Sequence, residues 1–394
     1  MHVAGIIAEY NPFHNGHLFH LNETFRMGAT HVVAVMSGNF TQRGEPAIIS
    51  KFERARMAAA HGADLVIELP LAYATASSER FAFGAVSVLD TLGVVELLSF
   101  ASESGDIEKL SSALDAVSDA RVIRRLKQLV EIGENYPSAR SKAVEVFYPE
   151  TASLIHKPNN ILGVDYLKAL KKTGSRIYPV TVKRKGAEHD SDNESEGIAS
   201  AGRIRELVRE RGYFSDFVPQ ECELSLLDLD VSGGISEGMP RIESAVLMKL
   251  RGLSREDMNR LPDASTGLGD RLYNVSREAD TIETLYNSAK TKRYTMSRIK
   301  RAVAAALLDI TGEDYIPPSY IRLLAIGPNG GDILRAMKRK CALPVSGSAT
   351  ELSKLGGLAA KMISKECAAT DIFNLTLRKR KPAGEDFTSK LYTV

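Results

Sequence analysis

The chain has 394 residues, a formal net charge of +2 at pH 7, 44% hydrophobic residues and 25% charged residues. This composition is typical of an ordinary globular protein and excludes the disordered and fibrous classes, and the length predicts two or three domains. No apolar run approaches the length of a membrane span, and the N-terminus lacks the features of an export signal. We therefore expect a cytoplasmic protein without a membrane partner. The three cysteines are widely spaced and predict neither a disulfide framework nor a structural zinc site.

Short apolar runs alternate with longer amphipathic segments in the first hundred residues. Residues 3–9, 30–37, 63–69 and 95–102 are rich in Val, Ile and Leu and predict buried strands. The segments between them have helical spacing, and each ends at a glycine suited to a C-terminal cap. This alternation predicts an α/β fold with a Rossmann-like, doubly wound parallel sheet.

The pattern changes further along the chain. A helix over residues 159–174, a strand within 175–184 and a helix over 201–212 extend the first domain, which we close at residue 213. From about residue 240 the apolar spacing is mainly helical, so residues 214–394 predict a mainly helical C-terminal domain. The segment 319–327 fits either a strand or a short helix.

The first predicted strand leads into the sequence EYNPFHNGHLFHL, residues 9–21. A strand that ends near Glu9 and a helix that begins near Gly16 place the N–H groups of the first helical turn at the sheet edge, where they form an anion site. His14 and His17 are three residues apart, so both rings can face one phosphate. They would donate hydrogen bonds to an α-phosphate while pyrophosphate leaves. The alternative is one turn histidine and one helix-surface histidine.

This stretch resembles the HxGH signature of the nucleotidyltransferase superfamily. The superfamily's second signature has a counterpart in IASAGRIR, residues 198–205, where Ser200 and Arg205 match best and two alanines replace hydroxyl residues. The longer stretches GIIAEYNPFHNGHLFHL, AVMSGNFTQRGEPAIISK, ADLVIELP, FASESGDI, PNNILG and EGIASAGRIREL, in that order, resemble the tRNA(Met) cytidine acetate ligase family. The resemblance implies ATP-dependent activation of acetate as acetyl-adenylate. It also implies acetyl transfer to the wobble cytidine of elongator tRNA(Met), which gives N4-acetylcytidine.

The resemblance also implies roles for individual residues. His14 and His17 are the expected catalytic residues, and His20 is expected to take no part in the chemistry. Mg²⁺ is expected with ATP, although no carboxylate cage is apparent. The implied ATP-binding residues are Ile7, Ala8, Glu9, Tyr10, Asn11, Pro12, Phe13, His14, Asn15, Gly16, His17, Leu18, Phe19, His20, Ala101, Asn159, Asn160, Arg184, Ser200 and Arg205.

Some of these residues have simpler interpretations. Ala101 stands where the family usually has glycine, and its segment is otherwise an ordinary turn at a strand end. Asn159 and Asn160 precede an apolar helix, where an N-cap is the commonest role for Asn. Arg184 ends a predicted strand, where arginine is usually a surface residue.

Two further segments carry candidate contacts to the substrates. The long loop after the second predicted strand contains Asn39, Gln42, Arg43 and Lys51 and is either a site for acetate or the tRNA end, or an exposed lid. A late basic helix presents a cationic side that fits tRNA phosphates, or is merely solvated. The residues on that side are Arg293, Arg298, Lys300 and Arg301.

Two other functions are compatible with parts of this pattern. A small-molecule nucleotidyltransferase would use His14 and His17 to transfer AMP or CMP to a metabolite, but it gives the helical C-terminal half no task. An RNA-binding protein with a nucleotide-sensing domain is the alternative without catalysis.

Overall fold

A computed structural model of the protein describes residues 1–184 and 197–394. Most of the acidic loop that precedes Ser200, over residues 185–196, lies outside the described residues. The strands are β1 (Val3–Ala8), β2 (His31–Ser37), β3 (Leu65–Leu69), β4 (Leu97–Ser102), β5 (Tyr178–Lys183), β6 (Ile321–Ile326), β7 (Val345–Ser346) and β8 (Tyr392–Thr393).

Helices connect the strands and build most of the second half of the chain. The helices of the first half are α1 (Asn15–Arg26), α2 (Lys51–Ala60), α3 (Leu71–Ala74), α4 (Ser78–Thr91), α5 (Ile107–Ser118), α6 (Ala120–Glu131), α7 (Tyr136–Phe147), α8 (Pro149–Ala152) and α9 (Pro158–Thr173). Those of the second half are α10 (Ala201–Glu210), α11 (Gln220–Ser232), α12 (Glu243–Gly252), α13 (Arg255–Arg260), α14 (Leu268–Glu278), α15 (Ile282–Ala289), α16 (Met296–Leu307), α17 (Gly330–Met337), α18 (Ala349–Ser353), α19 (Gly357–Thr376) and α20 (Glu385–Thr388).

The strands form one sheet in the order β5-β4-β1-β2-β3-β6-β7, and β8 also pairs with β6. Strands β1 to β5 are mutually parallel, which confirms the predicted doubly wound parallel sheet. The segment 319–327 contains a strand, β6, which pairs antiparallel with β3 and makes the complete sheet mixed. Residues far beyond 213 therefore contribute strands to the sheet, and the domain boundary at 213 stays a prediction.

The continuous apolar runs of the central strands are explained by burial on both faces of the sheet. In β2, Val33 and Val35 pack into one core with α4, α5 and α9. Val32, Ala34 and Met36 point to the opposite core, which α1, α2, α10 and α11 cover. All five residues are completely buried. The parallel arrangement brings the carboxyl ends of β1, β2, β3, β4 and β5 to a single edge.

A third core joins α12, α14, α15 and α16 to α19, with Val246, Leu272, Ile299 and Phe373 buried inside it. Ile299 and Val303 lie on the packed side of α16, where the sequence places them. None of the helices in the described part of the chain has the length and apolarity needed to cross a membrane.

Candidate active site

His14 and His17 cap the first helix with their own side chains. His14 is the N-cap residue of α1, and its Nδ1 accepts a hydrogen bond from the Gly16 backbone N–H at 3.0 Å. The His14 backbone N–H donates to Nδ1 of His17 at 3.3 Å. Two imidazoles thus replace the Ser and Glu side chains of an ordinary capping box. A Cβ at position 16 would lie 2.9 Å from Cε1 of His14, so this close approach requires glycine.

The hydrogen bonds of the cap determine which ring nitrogen carries the proton. Because Nδ1 of each ring accepts a backbone N–H, the proton of each neutral ring lies on Nε2. No described residue accepts a hydrogen bond from either Nε2. The rings of His14 and His17 stack with centroids 3.7 Å apart and an interplanar angle of 25°. Two N–H donors therefore lie side by side at a helix N-terminus.

Burial keeps both rings neutral. It lowers the pKa of His14 to about 3, with further lowering by the charges of Arg184 and Arg205. Burial is also the main cause that holds the pKa of His17 well below its usual range, followed by the neighbouring His14. At neutral pH the pair therefore offers two neutral N–H donors and carries no proton that it could give up as an acid.

In the third histidine of the stretch, His20, the ring nitrogen without a partner among the described residues is Nδ1, an acceptor, and not Nε2. Thr24 Oγ1 donates to the His20 carbonyl at 2.9 Å and lies 2.7 Å from Ser99 Oγ, so the Ser99 hydroxyl must donate to Thr24. Ser99 Oγ then accepts from Nε2 of His20 at 3.0 Å, which leaves a lone pair on Nδ1. Burial, followed by the charge of Arg184, lowers the pKa of His20 to about 4. The start of α1 contains no Asp or Glu and presents the Nε2–H donors of His14 and His17. The next turn presents the Nδ1 acceptor of His20.

The loop between β1 and α1 is held in place by hydrogen bonds from Arg54 and from the Ile48 backbone. The fully buried Arg54 donates to the carbonyls of Glu9 and Ser37 at 2.6 and 3.1 Å. Asn11 Oδ1 accepts the Ile48 backbone N–H at 2.7 Å. Fixed donors are the requirement for stabilising a charge that develops only in a transition state.

Aromatic rings and apolar side chains complete this segment. The Tyr10 and Phe13 rings lie 4.9 and 5.7 Å from the His17 ring, and both are buried. Tyr10 has a φ of +46°, which is unusual for a residue with a side chain. The remaining residues implied for ATP binding on this segment are Ile7, Ala8, Pro12, Leu18 and Phe19, all buried or half-buried.

The two predicted signature segments meet at the start of α1. Arg205 of α10 donates to the Asn11 carbonyl at 2.8 Å. Asn15 Nδ2 donates to the carbonyls of Gly197 and Asp216 at 3.0 and 2.8 Å. Ser200 is the N-cap residue of α10, and its Oγ accepts from the Arg203 backbone N–H at 3.2 Å. Two helix N-termini and an arginine are therefore next to each other.

A carboxylate that the sequence analysis missed organises the end of β4. Glu103 accepts hydrogen bonds from the backbone N–H groups of Asn159 and Asn160 at 3.2 and 2.7 Å, and from Asn159 Nδ2 at 2.8 Å. The two asparagines lie inside the first turn of α9, where the N-cap residue is Lys157, so the N-cap interpretation is wrong. Arg184 lies 3.4 Å from Asn159 Oδ1. The only signal for Glu103 was its position directly after a strand.

The half-buried Ala101 lies on β4 opposite Val182, and Ser102 ends the strand. The sites expected from the sequence thus lie on adjacent strand ends, β1, β4 and β5, with α9 and α10 above them. This arrangement can hold a polyanion across the strand-order reversal of a doubly wound sheet.

Comparison with known proteins gives the same result for the whole chain. A family model described as HIGH Nucleotidyl Transferase matches residues 1–386. Proteins named tRNA(Met) cytidine acetate ligase from Thermoanaerobacter sp. (strain X514) and Caldanaerobacter subterraneus subsp. tengcongensis are 37% and 38% identical to it, and each alignment covers 98% or more of both chains. The chain belongs to the tRNA(Met) cytidine acetate ligase family.

Solved structures agree with this membership. The apo crystal structure of Thermotoga maritima TmcAL superposes with a TM-score of 0.93 at 31% identity and covers both chains completely. The crystal structure of TmcAL bound with alpha-thio ATP superposes with a TM-score of 0.91. The expected fold and the resemblance to the acetate ligase family are confirmed.

In this member of the tRNA(Met) cytidine acetate ligase family, the long loop after β2 is not an exposed lid. Asn39 is buried, accepts the Lys51 backbone N–H at 2.7 Å and donates to Thr370 at 3.1 Å. The Gln42 backbone N–H donates to Glu9 at 2.7 Å, and Arg43 is exposed. Asn39 and Lys51 are engaged within the protein, which favours a structural role for both.

Lys51 belongs to a group of five buried charged side chains that we call the strand-end cluster: Lys51, Glu68, Arg322, Glu366 and Asp386. Lys51 Nζ lies 2.7 Å from Glu68 and 2.9 Å from Asp386, and Arg322 contacts the same two carboxylates. Glu366 accepts the Leu71 backbone N–H at 2.6 Å.

The charges of the strand-end cluster balance when Glu366 is protonated. Burial, followed by the charge of Glu68, raises the pKa of Glu366 to about 8. Burial and Arg322 oppose the charge on Lys51, but Asp386, Glu68 and Glu366 outweigh them and raise the pKa of Lys51. Two cations then face two carboxylates, and the sequence alone gave no sign of this arrangement.

The basic side of α16 is occupied by contacts within the protein. Arg298 donates to the carbonyls of Asp263 and Ser265 at 2.8 and 2.7 Å, and Nε of Arg301 lies 2.5 Å from the Asp263 carboxylate. Lys300 lies 2.6 Å from Glu45. Arg293 is half-buried. RNA binding by these four residues stays a prediction. Arg293 lies before the first residue of α16, contrary to the expectation, and the described contacts of the other three hold neighbouring loops.

Proposed function

We propose that this protein uses ATP to activate acetate as acetyl-adenylate and then acetylates the wobble cytidine of elongator tRNA(Met) to N4-acetylcytidine. The observation that carries the proposal is the pair of neutral imidazoles whose Nε2–H groups lie at the N-terminus of α1. The family to which the chain belongs supports the choice of substrates. The cytoplasm, where tRNA is modified, is the proposed location.

In the first step an acetate oxygen attacks the α-phosphorus of ATP, and the bond to the β,γ-diphosphate breaks, so that pyrophosphate leaves with the bonding electron pair. Negative charge increases on the α-phosphate oxygens in the transition state. The Nε2–H groups of His14 and His17 donate to these oxygens without carrying a charge that would have to be desolvated. Arg184 and Arg205 attract the phosphates and hold them at the strand ends.

In the second step the N4 amine of cytidine attacks the carbonyl carbon of acetyl-adenylate. The bond between that carbon and the phosphate oxygen breaks, AMP leaves with the electron pair, and the proton that N4 loses passes to water. The loop between β1 and α1, which Arg54 holds through the Glu9 carbonyl, positions the mixed anhydride for this attack.

Mg²⁺ is part of the proposal as the ion that accompanies ATP. Among the described residues no group of three or more His, Cys, Asp or Glu side chains could hold a metal ion. The nearby carboxylates of Glu9 and Glu103 already accept backbone N–H groups. The ion would therefore be bound mainly by phosphate oxygens and water, as is usual for Mg²⁺, and it would neutralise phosphate charge.

The deciding experiment incubates the protein with ATP, labelled acetate and an unmodified tRNA(Met) transcript, followed by mass spectrometry of nucleosides. We expect acetylcytidine at the wobble position and pyrophosphate release that depends on acetate. A tRNA(Met) with uridine at the wobble position is the matched control and should remain unlabelled. Transfer of AMP to a metabolite without acetate would identify a small-molecule nucleotidyltransferase instead, and propionate tested in parallel measures selectivity for acetate.

A further inference from the structure

A cavity of about 350 Å³ lies between α4, α9 and the loop at Asp263, and none of its lining residues is among those expected to bind ATP. Its size falls within the range of ligand sites, about 300–1,000 Å³. Asp165 of α9 lines it and is only 4% exposed. Oδ2 of Asp165 is buried and has no hydrogen-bond partner among the described residues. A buried acceptor without a donor costs stability, which calls for an explanation by function.

The groups around Asp165 do not neutralise it. The Ser78 hydroxyl supplies one hydrogen bond to the carboxylate, and Arg140 and Lys168 are the cations that act on it from a distance. Lys168 itself is paired with Glu79 at 3.0 Å. Burial raises the pKa of Asp165, consistent with a carboxylate that lacks a direct cationic partner.

The walls of the cavity are aromatic and cationic. Phe83 lines it, with Lys172 Nζ 4.6 Å from the ring centroid, and Arg80 lies 4.4 Å from the Tyr315 ring. Neither Lys172 nor Arg80 has a carboxylate within ion-pair distance among the described residues. The two cations remain available to an anion, while Glu79 is paired.

These features restrict the class of ligand. A free acceptor on the floor requires N–H donors, and two unpaired cations on the rim require negative charge at the other end of the ligand. A simple amine would satisfy Asp165 but would be repelled by Lys172 and Arg80. A nucleotide has both features, because an amino group on a base edge pairs with a carboxylate and phosphates bind lysine and arginine.

The position of the cavity connects it to the active site. Asp263, on its third side, is held by Arg298 and Arg301 of α16. Lys300 of the same helix contacts Glu45, in the loop whose Gln42 N–H binds Glu9. A continuous series of contacts therefore joins this cavity to the catalytic loop.

We propose that the cavity binds an unstacked nucleotide of the RNA substrate, with Asp165 accepting hydrogen bonds from the base and Lys172 and Arg80 contacting phosphate. The inference rests on the proposed function, since it assigns a second contact to the same RNA. A base held here would fix the RNA while the wobble cytidine reaches the acetyl group.

The test is Asp165→Asn, which replaces the free acceptor with an amide. We expect KM for tRNA(Met) to rise about tenfold or more, because the amide no longer accepts the base donors. Acetate-dependent exchange of pyrophosphate into ATP should be unchanged, and the Tm of the variant should rise because the unpaired buried charge is gone. Asp115→Asn, at an exposed carboxylate of α5 that does not line the cavity, is the matched control and should change KM less than twofold.

Three results would overturn the proposal. An unchanged KM for tRNA in Asp165→Asn, while the parent protein acetylates the RNA, shows that the cavity does not bind the substrate. A lower Tm with a parallel loss of pyrophosphate exchange shows a structural role for Asp165. Equilibrium dialysis with free GMP, CMP and UMP tests for a free nucleotide, and Asp165-dependent binding of one of them without an effect on tRNA KM assigns the cavity to that ligand. If the parent protein itself fails to acetylate RNA, the proposed function fails instead.

Discussion

The histidines after β1 and the strand-end cluster beside β2 and β3 lie along one edge of the sheet, but only the cluster contains paired opposite charges. Nε2 of His14 and of His17 have no acceptor among the described residues. Lys51 and Arg322, in contrast, each contact two carboxylates. Burial is therefore a poor guide to function here, and the presence of internal ion pairs distinguishes the strand-end cluster from the candidate anion site.

The contrast extends to protonation. Burial keeps His14 and His20 neutral, because no neighbouring anion among the described residues offsets the cost of burying a charged ring. In the strand-end cluster the carboxylates stabilise the charged form of Lys51, whereas burial favours the neutral form of Glu366. The histidines have no carboxylate partner among the described residues, whereas Lys51 and Arg322 are already paired with Glu68 and Asp386.

Removing a charge from the strand-end cluster should have the largest effect on stability. Lys51→Met leaves Glu68 and Asp386 to share Arg322, so we expect the free energy of unfolding to fall by about 3–5 kcal/mol. Urea denaturation measures it. Lys249→Met, which removes a more exposed ion pair to Asp309, is the control and should cost about 1 kcal/mol or less. Equal losses in the two variants would contradict the distinction.

Removing one of the two imidazoles at the start of α1 should instead affect the reaction. His17→Ala removes one donor to the α-phosphate, so acetate-dependent pyrophosphate exchange should fall about 10²–10³-fold. Stability should fall by only about 1 kcal/mol, from the lost helix cap. His156→Ala, at an exposed histidine, controls for general effects. A loss below about tenfold would remove His17 from the catalytic residues.

The two groups should also give opposite pH dependences of stability. The pKa of His20 falls from 6.5 to about 4 on folding, so the unfolded chain binds its proton first and stability decreases as the pH falls through this range. The pKa of Glu366 rises from 4.5 to about 8, so the folded protein keeps the proton and stability decreases as the pH rises through that range.

Two variants separate these effects. His20→Gln keeps a donor for Ser99 and should reduce the acid-side slope by up to about 1.4 kcal/mol per pH unit, while Glu366→Gln should reduce the opposite slope by a similar amount. Tm measured from pH 4.5 to 8 gives both. Unaltered slopes would show that these groups titrate alike in the folded and unfolded chains.

The smallest expected effect concerns the link between the two regions and α16. Lys300 and Glu45 are each more than a quarter exposed, so their double-mutant coupling energy should be about 0.2–1 kcal/mol. Unfolding of Lys300→Ala, Glu45→Ala and the double variant measures it. A coupling above about 2 kcal/mol would show that the pair behaves as a buried one.

Sequence reasoning predicted the helix start that carries His14 and His17, whereas of the strand-end cluster it singled out only Lys51 and none of its partners. His14, Gly16 and His17 follow a recognisable strand and obey local rules of helix capping, so a short window contains their geometry. The parallel strands β1 to β5 were equally accessible, because burial on both faces leaves continuous apolar runs.

The remaining features depend on residues far apart in the chain. Asn39 bonds to Thr370, 331 residues later, and no local pattern encodes such a pairing. The same applies to β6, whose short apolar run fits a helix until the edge of β3 is available. The cationic side of α16 was interpreted as open because Asp263, the partner of Arg301, lies in a distant loop.

The long-range bonds of the strand-end cluster also set an order of events during synthesis. Glu68 enters the nascent chain early, but Arg322, Glu366 and Asp386 leave the ribosome late. Until they arrive, Lys51 and Glu68 border an uncovered β3 edge that can pair wrongly. The middle of the sheet can assemble during translation, but its outer edge has to wait, and an incomplete chain offers quality-control proteases an unpaired strand beside the ion pair of Lys51 and Glu68.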